Sequence, residues 1–254
     1  MAEAPALSIA LLATPEATAS TLYGLYDLFS SAGRDWDVVM HGCPGRALLE
    51  PKIVSVDGQG FRASNGAWIQ PDARLADCHS PVAICIPDLM VAPDEALTGR
   101  HETEIEWLRA CHAQGTLLAA ACTGALIFAE AGLLDGGEAT THWAYCDTLA
   151  RRYPKVRVHA HRALVATGEG ERIVMGGGGT SWLDLALFLV ARLVGTEEAM
   201  HLARLYLIDW HREGQRPYAA LSTSRQVEDA VIAKAQVSIT TPPRQYVPWC
   251  SSAA

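Results

Sequence analysis

Six residues in the middle of the chain, Ala120-Ala121-Cys122-Thr123-Gly124-Ala125, place a thiol between a run of small apolar residues and a segment with helical spacing. A strand that ends on one nucleophile-type residue, with small neighbours, ahead of a helix is a strand–nucleophile–helix elbow. Its tight turn needs the small residues and leaves the side chain above the sheet edge. A helix N-terminus behind Cys122 favours thiolate, which makes the sulfur more nucleophilic and easier to oxidise. The same pattern also describes a packed small hydrophobe. Further on, Thr140-Thr141-His142-Trp143 follows the loop Asp135-Gly136-Gly137, which returns the chain toward the sheet edge. Cys122 with His142 is the minimum pair for nucleophilic thiol chemistry. Alternatively, His142 caps or lines a helix start without meeting sulfur.

Two other patterns could hold a ligand. His159-Ala160-His161 would set both imidazoles on one face of a strand, a spacing suited to a metal. No HExxH or carboxylate cluster accompanies it, so an ordinary surface strand is the reading and no metal site is assigned. Gly176-Gly177-Gly178-Gly179 before a helix could hold phosphate on backbone N–H groups. It lacks the Lys-Ser/Thr of a P-loop and the spacing of a dinucleotide fingerprint. It reads as a flexible turn lining the same pocket, and no cofactor is expected.

Positioning these groups requires a sheet. Leu7–Ala13, Val82–Ile86 and Leu117–Ala121 are short, nearly continuous apolar runs, as expected of strands buried on both faces. Trp36–His41 reads as another strand, with weaker signals at Ile53–Val56 and Ala67–Ile69, and further strands near 156–159, 163–166 and Arg172–Met175. Helical spacing links Leu22, Leu25, Leu28 and Phe29, with Gly33 as a stop. It recurs over 95–113, Thr123–Ala131, near 143–152 and over 181–194, then over about 197–211 and 225–237. Alternating strands and helices predict right-handed crossovers and a largely parallel sheet covered on both faces. Residues 1–195 are expected to form one α/β domain, 196–237 a helical extension or linker, and 238–254 an irregular tail.

Composition narrows the function classes. The chain has 254 residues, 28 acidic against 20 basic, a net charge of −8, and half of its residues are apolar. That is enough for a full core and argues against a disordered chain or a disulfide-dependent miniprotein. It also lacks the basic balance of a dedicated nucleic-acid binder. The seven cysteines, an odd number, form no CxxC pair, and no basic stretch and apolar run open the chain. A reducing cytoplasm is the expected compartment. No apolar stretch approaches the roughly 20 residues needed to cross a bilayer, so no membrane partner is expected.

Longer blocks carry a resemblance. Ala121-Cys122-Thr123-Gly124-Ala125, then Ala129-Glu130-Ala131-Gly132-Leu133-Leu134-Asp135-Gly136, then Ala139-Thr140-Thr141-His142-Trp143 resemble the ThiJ/PfpI group of the class I glutamine amidotransferase-like superfamily. More narrowly, they resemble the N-terminal sensor domain of AraC-type transcription regulators. Arg151-Arg152-Tyr153-Pro154, Asp184-Leu185-Ala186-Leu187 and His211-Arg212 continue the likeness, which covers about residues 7–237 and is strongest between 119 and 190.

The resemblance implies a flavodoxin-like three-layer sandwich with Cys122 at the elbow and His142 beside it. It also implies, in the family's enzymes, an acidic residue early in the first helix that tunes the cysteine. Counting back from Asp27 and Phe29 puts that position on Thr21, which has no carboxylate, while Glu16 falls in the preceding loop. Where many relatives place glycines, this chain has Pro87-Asp88-Leu89. Asp88 has the wrong sign to stabilise a developing oxyanion. The expectation is therefore a small-molecule-sensing domain of an AraC-type regulator, a homodimer, with DNA contacted only through a helix-turn-helix domain absent from this chain. The alternative is a cysteine-dependent amidase, hydratase or glyoxalase-like enzyme with Cys122 and His142 catalytic. A sulfenate-based oxidation sensor is a third class, without an obvious resolving partner. The expected ligand contacts are Thr21, Asp88, Cys122, Thr123, His142, Trp143 and Trp182, at the carboxyl ends of the strands, around a small polar or cationic metabolite. Core packing is the other reading of each tryptophan.

Overall fold

Apolar runs too short for helices and apolar on every side chain account for the centre of the molecule. The computed structural model describes residues 5–209 together with Gly214 and Gln215. In chain order the elements are β1 (Leu7–Leu12), α1 (Ala19–Ser31), α2 (Asp35–His41), β2 (Leu49–Ser55), β3 (Phe61–Arg62), β4 (Trp68–Ile69), β5 (Ala73–Arg74), β6 (Ala83–Ile86), α3 (Glu102–Ala113), β7 (Leu117–Ala121), α4 (Ala125–Glu130), β8 (Glu138–Ala139), α5 (Cys146–Arg152), β9 (Arg157–Val158), β10 (Leu164–Thr167), β11 (Ile173–Gly176), α6 (Trp182–Leu193) and α7 (Thr196–Leu205). The expected helix over 225–237, the tail 238–254 and His211-Arg212 lie outside the described residues.

The main sheet runs β10-β11-β7-β6-β1-β2-β5. Every pair in it is parallel except β10 with β11. The β6 and β7 residues are all buried, as full coverage of a parallel sheet requires. Side chains alternate between faces. On one face Leu12, Ile84, Ile86 and Ala120 join Leu108, Phe128 and Leu149 of α3, α4 and α5. On the other, Ile9, Leu11 and Val174 join Phe29, Leu187 and Leu202 of α1, α6 and α7. This is the three-layer, mostly parallel sandwich that the sequence predicts.

Four local expectations are corrected. Trp36–His41 lies within helix α2, not in a strand. Asp35 and Asp37 sit in its first turn, Gly42 closes it in the left-handed region at φ +78°, and Val38, Val39 and Met40 face solvent. The place beside β1 goes to β2, with Leu7 opposite Leu49 and Leu11 opposite Ile53. Helix α3 starts at Glu102 rather than 95, because His101 at φ +58° caps it in a conformation that no helix can pass through. His159 leaves strand β9 toward Glu138 (Nε2 to Oε2, 3.3 Å) and 160–161 form a turn, so the two imidazoles share no strand face. Helix α7 ends at Leu205. It packs into the second cluster through Leu202, while Trp36 stacks on His201 at 4.4 Å and Gly33 N–H donates to Glu198 at 2.7 Å.

Candidate functional site

Cys122 directly follows β7 in a strained backbone. Its φ is +52°, in the left-handed region that a non-glycine residue adopts only when the surroundings impose it. A tight turn at Cys122–Gly124 then leads into α4. The need for small neighbours is visible at Gly124, where a Cβ would lie 2.5 Å from the Pro87 carbonyl oxygen and 3.0 Å from that of Ile86. This is the elbow geometry expected of the six-residue block.

The strand-end loops are laced around it. Thr123 is buried, and its hydroxyl accepts from Leu89 N–H and donates to Leu89 C=O, both at 2.7 Å, so it pins the loop after β6 to the elbow. Thr18 N–H donates to Asp88 C=O at 3.2 Å and Met90 N–H to Glu16 C=O at 2.8 Å, which joins the loop after β1 to the same segment. Thr18 Oγ1 then donates to the Asp88 carboxylate at 2.7 Å. Thr141 Oγ1 donates to Cys122 C=O at 2.8 Å and fixes the strand-like segment that carries His142.

Electrostatics follow from this arrangement. Burial pushes the Cys122 thiol up to about 11, and the Asp88 carboxylate adds to the rise, while hydrogen bonds from Thr123 and the Gly179 N–H pull it partly back. Burial lowers the His142 pKa, against the pull of Asp88 in the other direction. His142 Nδ1 accepts from Ala144 N–H at 3.2 Å, and the ring lies 5.2 Å from Trp143 and 5.9 Å, edge-on, from Tyr145. Among the described residues, no hydrogen bond joins the Cys122 thiol to His142. The thiol is thus held protonated beside a carboxylate, and burial shifts the imidazole toward its neutral form.

Trp143, Gly178, Gly179, Thr180, Ser181, Gly214 and Gln215 line a cavity of about 310 Å³ next to this centre. A Cβ on Gly178 would lie 2.2 Å from the His142 ring, so the glycine turn touches the imidazole directly. A larger hollow of about 500 Å³, lined by Tyr26, Arg34 and Lys52 among others, opens at the amino ends of β1 and β2, on the opposite edge of the sheet.

Of the sequence-derived contacts, Asp88, Cys122, His142 and Trp143 converge here. Thr21 is buried on α1 and meets Thr18 at 3.4 Å, one step from Asp88. Trp182 is turned elsewhere: its ring packs where a Cβ on Gly24 of α1 would be 2.5 Å away, between α1 and α6. Glu16 is ion-paired to Arg100 and faces His101 at 3.9 Å. Sequence reasoning missed Thr18, Tyr145 and Gln215. Thr18 and Gln215 act through long-range hydrogen bonds that leave no local pattern, while Tyr145, one turn after His142 at helical spacing, had a readable signal. Among the described residues, no group of three His, Cys, Asp or Glu side chains could hold a metal.

Residues 8–177 match the sequence profile of the DJ-1/PfpI family. The chain belongs to the DJ-1/PfpI family. Within it, the chain is 31% identical to the HTH-type transcriptional regulator CdhR of Pseudomonas aeruginosa over 61% of this chain and 44% of that protein. It is 33% identical to isonitrile hydratase of Pseudomonas putida over 76% of this chain and 75% of the enzyme. Other HTH-type transcriptional regulators match at similar identity. The chain thus spans under half the length of CdhR. A crystal structure of an AraC family transcriptional regulator from Pseudomonas putida shares the fold, with a TM-score of 0.62 at 17% identity over 80% of this chain and all of that one. This DJ-1/PfpI chain therefore has transcription regulators among its homologues. Among its described residues it has no separate helical DNA-binding domain and no helix long and apolar enough to cross a membrane.

Proposed function

We propose that this DJ-1/PfpI domain is the small-molecule-sensing part of an AraC-type transcription regulator and that it binds a small polar or cationic metabolite at the carboxyl ends of β1, β6 and β7. The observation that carries the reading is Asp88. A carboxylate raises the thiol pKa of Cys122 and opposes oxyanion stabilisation, which disfavours nucleophilic catalysis, while it attracts a cation. His142, Trp143 and Tyr145 add aromatic faces beside it, a combination suited to ammonium groups. The absence of a carboxylate at Thr21 points the same way. In this reading the ligand meets Asp88, Cys122, His142 and Trp143, with Thr21 and Thr123 supporting the walls. Residues 196–237 connect the domain to the rest of a regulator, with α7 also part of the core. The chain acts as a cytoplasmic homodimer, and DNA is contacted by a helix-turn-helix part outside the described residues.

A second reading has one specific support. The left-handed Cys122 is a nucleophile-elbow conformation, and the isonitrile hydratase relative is matched over most of its length. In that case Cys122 and His142 would work as a hydratase or amidase pair.

Thermal shift separates the two. Tetramethylammonium, trimethylglycine and free amino acids are titrated against wild type, Cys122→Ser and Asp88→Asn. A sensor gives a rise in Tm by mass action that survives Cys122→Ser and falls with Asp88→Asn. Turnover of isonitriles, nitriles or amides that disappears in Cys122→Ser, with no such shift, would establish the enzyme instead.

A further inference from the structure

One buried polar side chain at the candidate site comes from beyond the last described helix. Gln215 is 4% exposed. Its amide oxygen accepts from Gly178 N–H at 2.9 Å and from Trp143 N–H at 3.1 Å. Its amide nitrogen faces Thr141 C=O at 2.9 Å, Arg162 C=O at 3.1 Å and Thr140 Oγ1 at 3.4 Å. Its backbone N–H donates to His161 C=O at 2.9 Å. Two donors on one side and acceptors on the other match a primary carboxamide and not a carboxylate, whose oxygens would face carbonyls.

Glycines cut this niche to size. A Cβ on Gly177 would lie 2.5 Å from the Gln215 amide nitrogen, and one on Gly214, at φ +61°, would lie 2.1 Å from His161 C=O. Two of the backbone donors in the cavity wall, one from the glycine turn and one directly after His142, therefore share a single acceptor. If Gln215 leaves, both lose it, and buried N–H groups do not stay unpaired without cost.

We infer that Gln215 is a latch: a built-in carboxamide ligand that ties the chain at position 215 to the two loops forming the wall of the candidate site. Movement of Trp143 or Gly178 and release of Gln215 are one equilibrium, so a molecule that enters the cavity and displaces either loop changes how the chain is held at 215. The link to signalling rests on the sensor reading above; the latch itself does not.

Hydrogen exchange and chemical rescue test it. In Gln215→Ala, the Trp143 and Gly178 amides should lose protection about tenfold or more, while Leu118 to Ala120 in β7 stay protected. Acetamide should restore both that protection and the Tm of Gln215→Ala, acetate should restore neither, and neither compound should alter the wild type. Unchanged protection at Trp143 and Gly178, or equal rescue by acetate, overturns the latch. If Gln215→Ala does not fold, native-state exchange of the wild type decides. The Trp143, Gly178 and Gln215 amides should then open together as urea is added below the unfolding transition, and independent opening refutes the proposal. If the panel of cations produces no thermal shift while rescue by acetamide succeeds, the sensor reading fails and the latch stands.

Discussion

The Thr18 hydroxyl donates to the Asp88 carboxylate at 2.7 Å, across 70 positions of sequence, and so joins the loop after β1 to the loop after β6. This bond fixes where the negative charge of the candidate site lies. Thr18→Val keeps the side-chain volume and removes the donor. It should lower stability by about 1–2 kcal/mol, the usual scale for losing a bond to a charged group that stays partly solvated. It should also weaken binding of tetramethylammonium severalfold, read by calorimetry. Unchanged affinity would remove Thr18 from the site.

Cys122 should behave as a sluggish thiol. With its pKa near 11, the thiolate fraction at neutral pH is on the order of one in ten thousand, against a few per cent for an ordinary cysteine. Alkylation by iodoacetamide at Cys122, followed by mass spectrometry, should be slow and should accelerate as the pH approaches 11. Asp88→Asn removes a charge that opposes ionisation, so alkylation should become faster. A slower reaction in that variant would contradict the assigned electrostatics.

The same thiols predict an alkaline limit to stability. Cys122 and Cys146 are both pushed up to about 11, chiefly by burial, from an ordinary value near 9. Between those values the unfolded chain has released protons that the folded one keeps, so the unfolding free energy falls as pH rises. The slope is about 1.4 kcal/mol per pH unit for each such group. Urea midpoints measured at increasing pH should decline from roughly pH 9 upward, and less steeply in Cys122→Ser.

Gly124→Ala tests the elbow as a steric object. The added methyl meets the Pro87 and Ile86 carbonyl oxygens, which are backbone and have little room to yield. A loss of about 1–3 kcal/mol is expected, the range for overpacking, with a matching fall in Tm. A neutral effect would mean that the loop after β6 gives way easily.

Leu202→Ala asks whether α7 is core or connector. Leu202 is fully buried in the cluster shared by α1 and α6. A loss of about 2–5 kcal/mol, typical of a buried leucine, identifies α7 as part of the folded unit. A loss well under about 1 kcal/mol would support a boundary at residue 195.

The legible parts of this protein were those with dense local signals. The LSIALL, AICI and LLAAA runs cannot be buried except between two helical layers, so the sheet could be read directly. Cys122 was readable because an elbow requires small residues on both sides. The WDVVMH segment reads as a strand because its valines suit one, whereas it forms a helix with an acidic first turn and a solvent-facing apolar stretch, held to α7 by the stacking of Trp36 on His201. Trp182 is a second case: of its two readings, ligand contact and core packing, the missing Cβ of Gly24 favours the second by giving its ring a place against α1.

By itself, then, the sequence determined the covered, mostly parallel sheet and the elbow, since each follows from local pattern and short-range sterics. Only the tertiary structure decided what the thiol experiences. Burial, Asp88 positioned by Thr18, the lowered pKa of the His142 imidazole and the wall closed by Gln215 all depend on contacts between residues far apart in the chain. Desolvation and Coulomb energy depend on distance in space, and no spacing along a sequence specifies that distance.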